Sequence, residues 1–384
     1  MWQDKRLCDL LGIVHPIIQA PMAGATTPEM AAAAANAGAL GSLGCAMFAP
    51  ERIKQEAQLT KALSNRSINL NFFVHASPEQ DQGKTTAARA NLAPWYERMG
   101  AGEVPDAVEG HVPFNDAACD AVLEASPKVV SFHFGLPDTA IVDRVKQAGI
   151  VVLSSATSVA EARWLVDRGV DAVIAQGYEA GGHSGWFLPR GASNVAGTMA
   201  LVPRIVDAVD VPVIAAGGIA DGRGIAAALM LGAAGVQIGT AFLTTPESMV
   251  APVHKTELLN ASGDDTMLSK AFSGRNARTV VNDYASEMDN VKDWPDFPLV
   301  NAMTGPLRKT SAEIGKPDAV ALWSGQAVGL NREATTAEMV ERLVAETGAC
   351  LERFVWPSSC PWSSRDRSCI PVDAEFRPAS RRLD

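Results

Sequence analysis

The chain has no basic excess, no membrane-length apolar run, no paired cysteines and few tyrosines. Against 43 acidic residues stand 33 basic ones, a net charge of −10. A general nucleic-acid binder, which needs a basic face for phosphate, is therefore excluded. The stretch Ala31 to Leu43 is interrupted by Asn36, Gly38, Gly41 and Ser42, so it does not read as a membrane span. The opening residues, Met-Trp-Gln-Asp-Lys-Arg-Leu-Cys, contain no signal-peptide core, and a cytoplasmic protein is expected. Cys8, Cys45, Cys119, Cys350, Cys360 and Cys369 form no CxxC pair and no metal-ligand spacing, which leaves no metal site to expect. Cys45 follows an apolar run and reads as a buried bystander.

What the chain does have is length and a core. Of its 384 residues 47% are hydrophobic, and apolar, often β-branched runs recur along it. They are Pro16–Met22, Leu40–Cys45, Ile68–Val74, Val129–Phe134, Ile150–Ser154, Ala172–Gln176, Val211–Ala216 and Gly235–Ala241. Near-continuous apolar runs are what parallel strands show when both faces are buried. Between them, helices are predicted over Pro28–Ala37, Thr139–Ala148, Val159–Arg168, Pro203–Val209 and Gly224–Leu231. Ala37-Gly38, Ala148-Gly149 and Arg168-Gly169 supply glycine C-caps. Eight such repeats predict an α/β fold, a (β/α)8 TIM barrel, with its site at the C-terminal strand ends. A doubly wound open sheet is the alternative and needs a strand-order reversal.

Two segments break the rhythm. Residues 76–118 form a polar excursion with short helices over Pro78–Met99, and residues 246–306, following the eighth strand, read as a cap over the barrel mouth. The expected division is a barrel over 1–245, the cap over 246–306, closing helices over 307–350, and a tail over 351–384 whose Ser, Pro and Arg content predicts disorder.

The polar residues and glycines gather at the predicted strand ends. Gln176 to Gly185 sets His183 in a glycine-rich turn after the sixth strand. A histidine there suits proton transfer or anion contact near neutral pH, and the plain alternative is an idle surface loop. Ala216-Gly217-Gly218 and Gln237-Ile238-Gly239-Thr240 end the seventh and eighth strands, where barrels often hold phosphate on backbone N–H groups. Tight strand-helix packing would also call for glycine. The G-x-G-x-x-A match at Gly222 to Ala227 is a decoy, because no acidic residue ends the following strand.

Gln19 to Gly24, Asn69 to Phe73, Gln176 to His183, Ala216 to Ile219 and Gln237 to Phe242 together resemble the nitronate monooxygenase family, formerly 2-nitropropane dioxygenase. The likeness runs in order from about Ile13 to Gly329. It implies an FMN-binding barrel, with the flavin held by Ala20, Pro21, Met22, Asn71, Gln176, Gly181, Gly182, Gly217, Gly218, Gln237, Gly239 and Thr240. The implied reaction is O2-dependent oxidation of alkyl nitronates, propionate 3-nitronate among them, to a carbonyl compound and nitrite. His183 matches the family histidine, as base or as nitronate-binding group, and His133 at the end of the fourth strand is a second candidate substrate contact. The implied partners are a nitronate and O2, without nucleic acid or membrane, and a homodimer is the candidate assembly.

The same Gly-Gly-His segment also suits an FMN-dependent enoyl-thioester reductase using NAD(P)H, and a non-redox phosphosugar or nucleotide barrel is the third reading. Of the other histidines, His15 reads as structural, His75 and His111 as solvated, and His254 as a cap residue within reach of substrate. Ser273 to Arg278 resembles a family turn that shapes the cap. Where many relatives carry tyrosines, Pro298 to Met303 has none, which makes the expected pocket more apolar.

Overall fold

In the computed structural model, residues 2–105, 112–189 and 195–353 are described. All eight apolar runs are parallel strands of one sheet: β1 (Ile17–Gln19), β2 (Gly41–Gly44), β3 (Ile68–Phe73), β4 (Val129–His133), β5 (Val151–Ala156), β6 (Ala172–Gln176), β8 (Val213–Ala216) and β9 (Gly235–Ile238). The order β1-β9-β8-β6-β5-β4-β3-β2 is closed by a parallel bridge between Ile18 and Leu40, so the sheet is a (β/α)8 barrel. The strands carry β-branched and other apolar side chains on both faces. Ile17, Val130, Val152, Val173, Val213 and Val236 pack with the surrounding helices, whereas Ile18, Val129, Leu153, Ile174 and Ile214 share a second cluster with Leu7 and Leu11.

The helices lie close to their expected ranges. Pro28–Asn36 begins with proline in its first turn and a Thr27 side chain that accepts from Met30 N. The helix expected from Pro203 begins earlier, at Thr198, and carries Pro203 inside it. Its start is set from outside: the Glu179 carboxylate accepts from Thr198 N at 3.0 and 2.9 Å, a cap supplied from the preceding strand-end turn.

The cap differs more. A three-stranded antiparallel sheet covers the barrel, formed by β10 (Thr266–Ser269), β11 (Ala277–Val280) and β7 (Gly182–His183). Thus the Gly-Gly-His turn is itself a cap strand, with His183 paired to Ala277. The boundary expected at residue 306 falls inside one helix, Leu299–Glu313. The polar excursion contributes a helix, Gln82–Met99, whose Leu92, Trp95 and Tyr96 share a core with Phe272, Tyr284, Met303 and Leu307. Tyr96 Oη donates to Met303 O at 2.5 Å. The excursion and the cap are therefore one packed layer. The closing helix, Thr336–Arg353, returns to the helix Gly222–Met230. Beyond residue 353 the expected tail lies outside the described residues, as does His111.

Candidate active site

A cavity of about 550 Å3 opens between the C-terminal strand ends and the cap. The β1 end places Ala20, Pro21 and Met22 in its wall, and β3 and β4 place Asn71 and His133 there. From β6 and its turn come Gln176, Gly181, Gly182 and His183. Gly217 and Gly218 follow β8, and Gln237, Gly239 and Thr240 come from β9 and beyond. The structure thus brings every residue singled out for cofactor or substrate to one cavity, together with His254.

Three glycine turns stack at one side. A Cβ on Gly181 would fall 2.5 Å from Gly325 N, and one on Gly217 would fall 2.9 Å from Ala180 N. Gly217 and Gly218 also hold φ of 103° and 72°, the left-handed region that favours glycine. Gly325 N donates to Thr240 Oγ1 at 2.9 Å, which ties the third turn to the β9 end. Beside them the Gln237 side-chain oxygen is buried with no partner among the described residues. A buried acceptor without a donor is costly, so it marks a place for a ligand group. The decoy motif is filled by protein instead: Asp221 caps Arg223 N and Gly224 N, and Gly222 N donates to Glu346. Carboxylates occupy the position a pyrophosphate would need.

Gln176 and His133 are both committed to the protein. Gln176 Nε2 donates to His183 O at 3.1 Å, and its Oε1 accepts from Gly185 N at 2.7 Å. This amide clamps the Gly-Gly-His turn. His133 Nε2 lies 3.1 Å from His183 O, a pure acceptor, so Nε2 carries the proton. His133 Nδ1 then accepts from Ser155 Oγ at 2.5 Å. His133 thus lines the cavity while its two nitrogens hold Ser155 and the His183 backbone.

His183 Nε2 meets Ser273 Oγ at 2.9 Å. Its ring sits among Phe297, Trp323, Phe73 and Phe134, with centroids 5.2 to 6.2 Å away. Burial, followed by His133, Arg275 and Arg308 nearby, pushes His183 down to about 3. Burial likewise pushes His133 and His254 down to about 4. All three rings are neutral at pH 7.

The turn expected to shape the cap does so through two arginines. Arg275 Nε donates to Ser184 O at 3.2 Å and its guanidinium also reaches Trp186 O while stacking on Phe134. Arg278, 2% exposed, donates to Tyr178 O at 3.0 and 3.2 Å and to Thr266 Oγ1 at 3.1 Å. Both fasten the loop after β6 to the cap.

Several wall residues escaped the sequence reading. Phe297, Asn301, Gly305, Arg308, Lys309 and Trp323 come from the cap side. Asn301, Gly305 and Arg308 stand at i, i+4 and i+7 of one helix, a spacing that does mark a shared face. Arg308 Nη2 donates to Asn301 O at 2.8 Å and Asn301 Oδ1 at 3.0 Å, and it has no carboxylate partner among the described residues. Burial lowers its pKa. Among the described residues the cavity wall holds two cations, Arg308 and Lys309, and no carboxylate.

The nitronate monooxygenase family pattern matches residues 4–346. The chain belongs to the nitronate monooxygenase family. It is thereby placed among oxidoreductases. A probable nitronate monooxygenase of Staphylococcus aureus (strain JH9) is 41% identical over 333 residues, covering 85% of this chain and 92% of the relative. Among solved structures, a nitroalkane oxidase from Streptomyces ansochromogenes superposes with a TM-score of 0.84 at 37% identity, covering 91% of this chain and 99% of that one. FabK from Thermotoga maritima superposes with a TM-score of 0.71 at 29% identity, covering 91% and 97%. No helix among the described residues is long and apolar enough to cross a membrane.

Proposed function

We propose that this family member binds FMN in the cavity and oxidises alkyl nitronates with O2 to a carbonyl compound and nitrite. The observation that carries the reading is the charge of the wall: two cations, neutral histidines and no carboxylate among the described residues, a lining suited to anions. The fit to FMN rests on the stacked glycine turns of Gly181, Gly217-Gly218 and Gly325 beside Gly239-Thr240, which bring backbone to the cavity, and on the unpartnered Gln237 oxygen. Ala20, Pro21, Met22, Asn71, Gly181 and Gly182 would complete the flavin's surroundings, with Gln176 holding the turn. Bound FMN would supply the redox chemistry, leaving binding and orientation to the protein.

On this reading His183 meets the reacting end of the substrate from the cap strand, as base or as nitronate-binding group. Arg308 offers a guanidinium to anionic substrate, and propionate 3-nitronate is the test compound with a charge at each end. The rings of Phe73, Phe134, Phe297 and Trp323 surround the histidine with apolar surface. A cytoplasmic location agrees with the chemistry.

The likeness to FabK favours one other reading, enoyl-thioester reduction by NAD(P)H. Anaerobic flavin reduction separates the two. Bleaching by ethyl nitronate, with NAD(P)H slow, is expected; fast bleaching by NAD(P)H with no response to nitronate would replace the first reading by the second.

A further inference from the structure

Ser273 Oγ has three polar neighbours and one proton. Arg275 O stands 3.1 Å away and only accepts; Arg275 N stands 3.3 Å away and only donates; His183 Nε2 stands 2.9 Å away. If the hydroxyl donates to Arg275 O, it accepts from Arg275 N and from a protonated Nε2, and all three contacts are attractive. If it donates to Nε2, two oxygens with no proton between them face each other at 3.1 Å. Ser273 is 0% exposed, so water does not relieve that contact.

The rest of His183 is fixed independently. Its carbonyl accepts from His133 and Gln176, both at 3.1 Å, and its backbone pairs with Ala277. Phe297 and Trp323 flank the ring. Its Nδ1 has no protein partner among the described residues, and the residue lines the cavity.

We propose that Ser273 is a positioning residue that holds His183 as a neutral, Nε2-protonated ring with the Nδ1 lone pair offered to substrate. This rests on the nitronate reading and deepens it, because a lone pair suits proton removal from a neutral nitroalkane better than it suits holding an anion. In that step the proton on the substrate α-carbon moves to Nδ1. The C–H electron pair becomes the C=N bond of the nitronate, and negative charge gathers on its two oxygens. The imidazolium formed keeps its Nε2–H on Ser273 and stands beside the new anion. Neutral nitroalkanes are therefore substrates alongside preformed nitronates.

The test combines 15N NMR of histidine-labelled, flavin-loaded protein with kinetics on nitroethane and ethyl nitronate. His183→Asn assigns the ring signals. The wild type is expected to show an Nε2-protonated neutral ring at pH 7. In Ser273→Ala that pattern should give way to mixed tautomers, and the ratio of kcat/KM for nitroethane to that for ethyl nitronate should fall at least about tenfold, part of the ~10²–10⁴-fold a placed base contributes. Ser273→Thr, which keeps the hydroxyl, should restore both. A wild-type ring protonated at Nδ1, or equal loss on both substrate forms in Ser273→Ala, would overturn the role of Ser273. Failure of the wild type to turn over either substrate would instead remove the nitronate reading, and the NMR result would still judge the tautomer.

Discussion

The barrel and the cap are made by different rules. Each barrel strand announces itself within a few residues, because a strand buried on both faces must be apolar throughout. The cap is assembled from pieces far apart in the chain: the helix Gln82–Met99, the strand Gly182–His183, the hairpin β10–β11 and the helix Leu299–Glu313. No local period marks such a layer. The barrel supplies the strand-end glycine turns and the Phe73 and Phe134 side of the aromatic box, and the cap side supplies the cations, Phe297, Trp323 and the setting of His183. The contrast suggests that the barrel governs flavin binding and the cap governs substrate.

Perturbing each region tests that division. The largest effect should come from the cap strand. His183→Asn is expected to keep its flavin absorbance and lose about 10²–10⁴-fold in kcat/KM on nitroethane. Full activity in that variant would show that the cap strand carries no chemistry. Next, Arg308→Met should raise KM for propionate 3-nitronate by about tenfold or more, the value of a charge-assisted hydrogen bond of about 1.5–3 kcal/mol. Steady-state kinetics would contradict the cap's role if KM held while flavin affinity fell.

Matched truncations separate the regions by stability. Ile214→Ala in the barrel and Leu307→Ala in the cap each remove a fully buried side chain and should each cost about 2–5 kcal/mol in denaturant unfolding. Only the cap variant should also shift KM. Equal shifts in both would mean that barrel and cap respond as one body.

A further effect is on pH. His133, His183 and His254 are held down near 4, 3 and 4 by burial, against about 6.5 in the unfolded chain. The unfolded state binds protons that the folded state refuses, so stability should fall as pH drops below about 6.5 and continue falling toward 4. Each ring contributes up to about 1.4 kcal/mol per pH unit. Denaturant midpoints between pH 7 and 5 measure this, and a flat profile would mean the rings accept protons in place.

Much of the barrel was legible in sequence, and so was membership of the cavity wall. The strand-end glycines and His183 stood out because barrel sites collect there. Which atom each polar residue binds was not legible. Gln176 reaches the cavity wall as expected of a flavin contact, and its amide also closes on His183 O and Gly185 N, a contact set by the shape of the turn. His133 likewise spends both nitrogens on Ser155 and His183 O. The start of the helix at Thr198 depended on Glu179, nineteen residues earlier in the chain, rather than on Pro203. Arg308 went unnoticed because Pro306, inside the helix Leu299–Glu313, suggested a boundary there.

The central claim is that this cation-bearing, anion-accepting cavity oxidises nitronates. Oxygen consumption by the purified, FMN-loaded protein, measured with propionate 3-nitronate and ethyl nitronate alongside nitrite release, tests it most directly. The account predicts O2 uptake with nitrite formed in step. A flavin-loaded protein that consumes no O2 with either nitronate, yet is rapidly reduced by NAD(P)H, would contradict it.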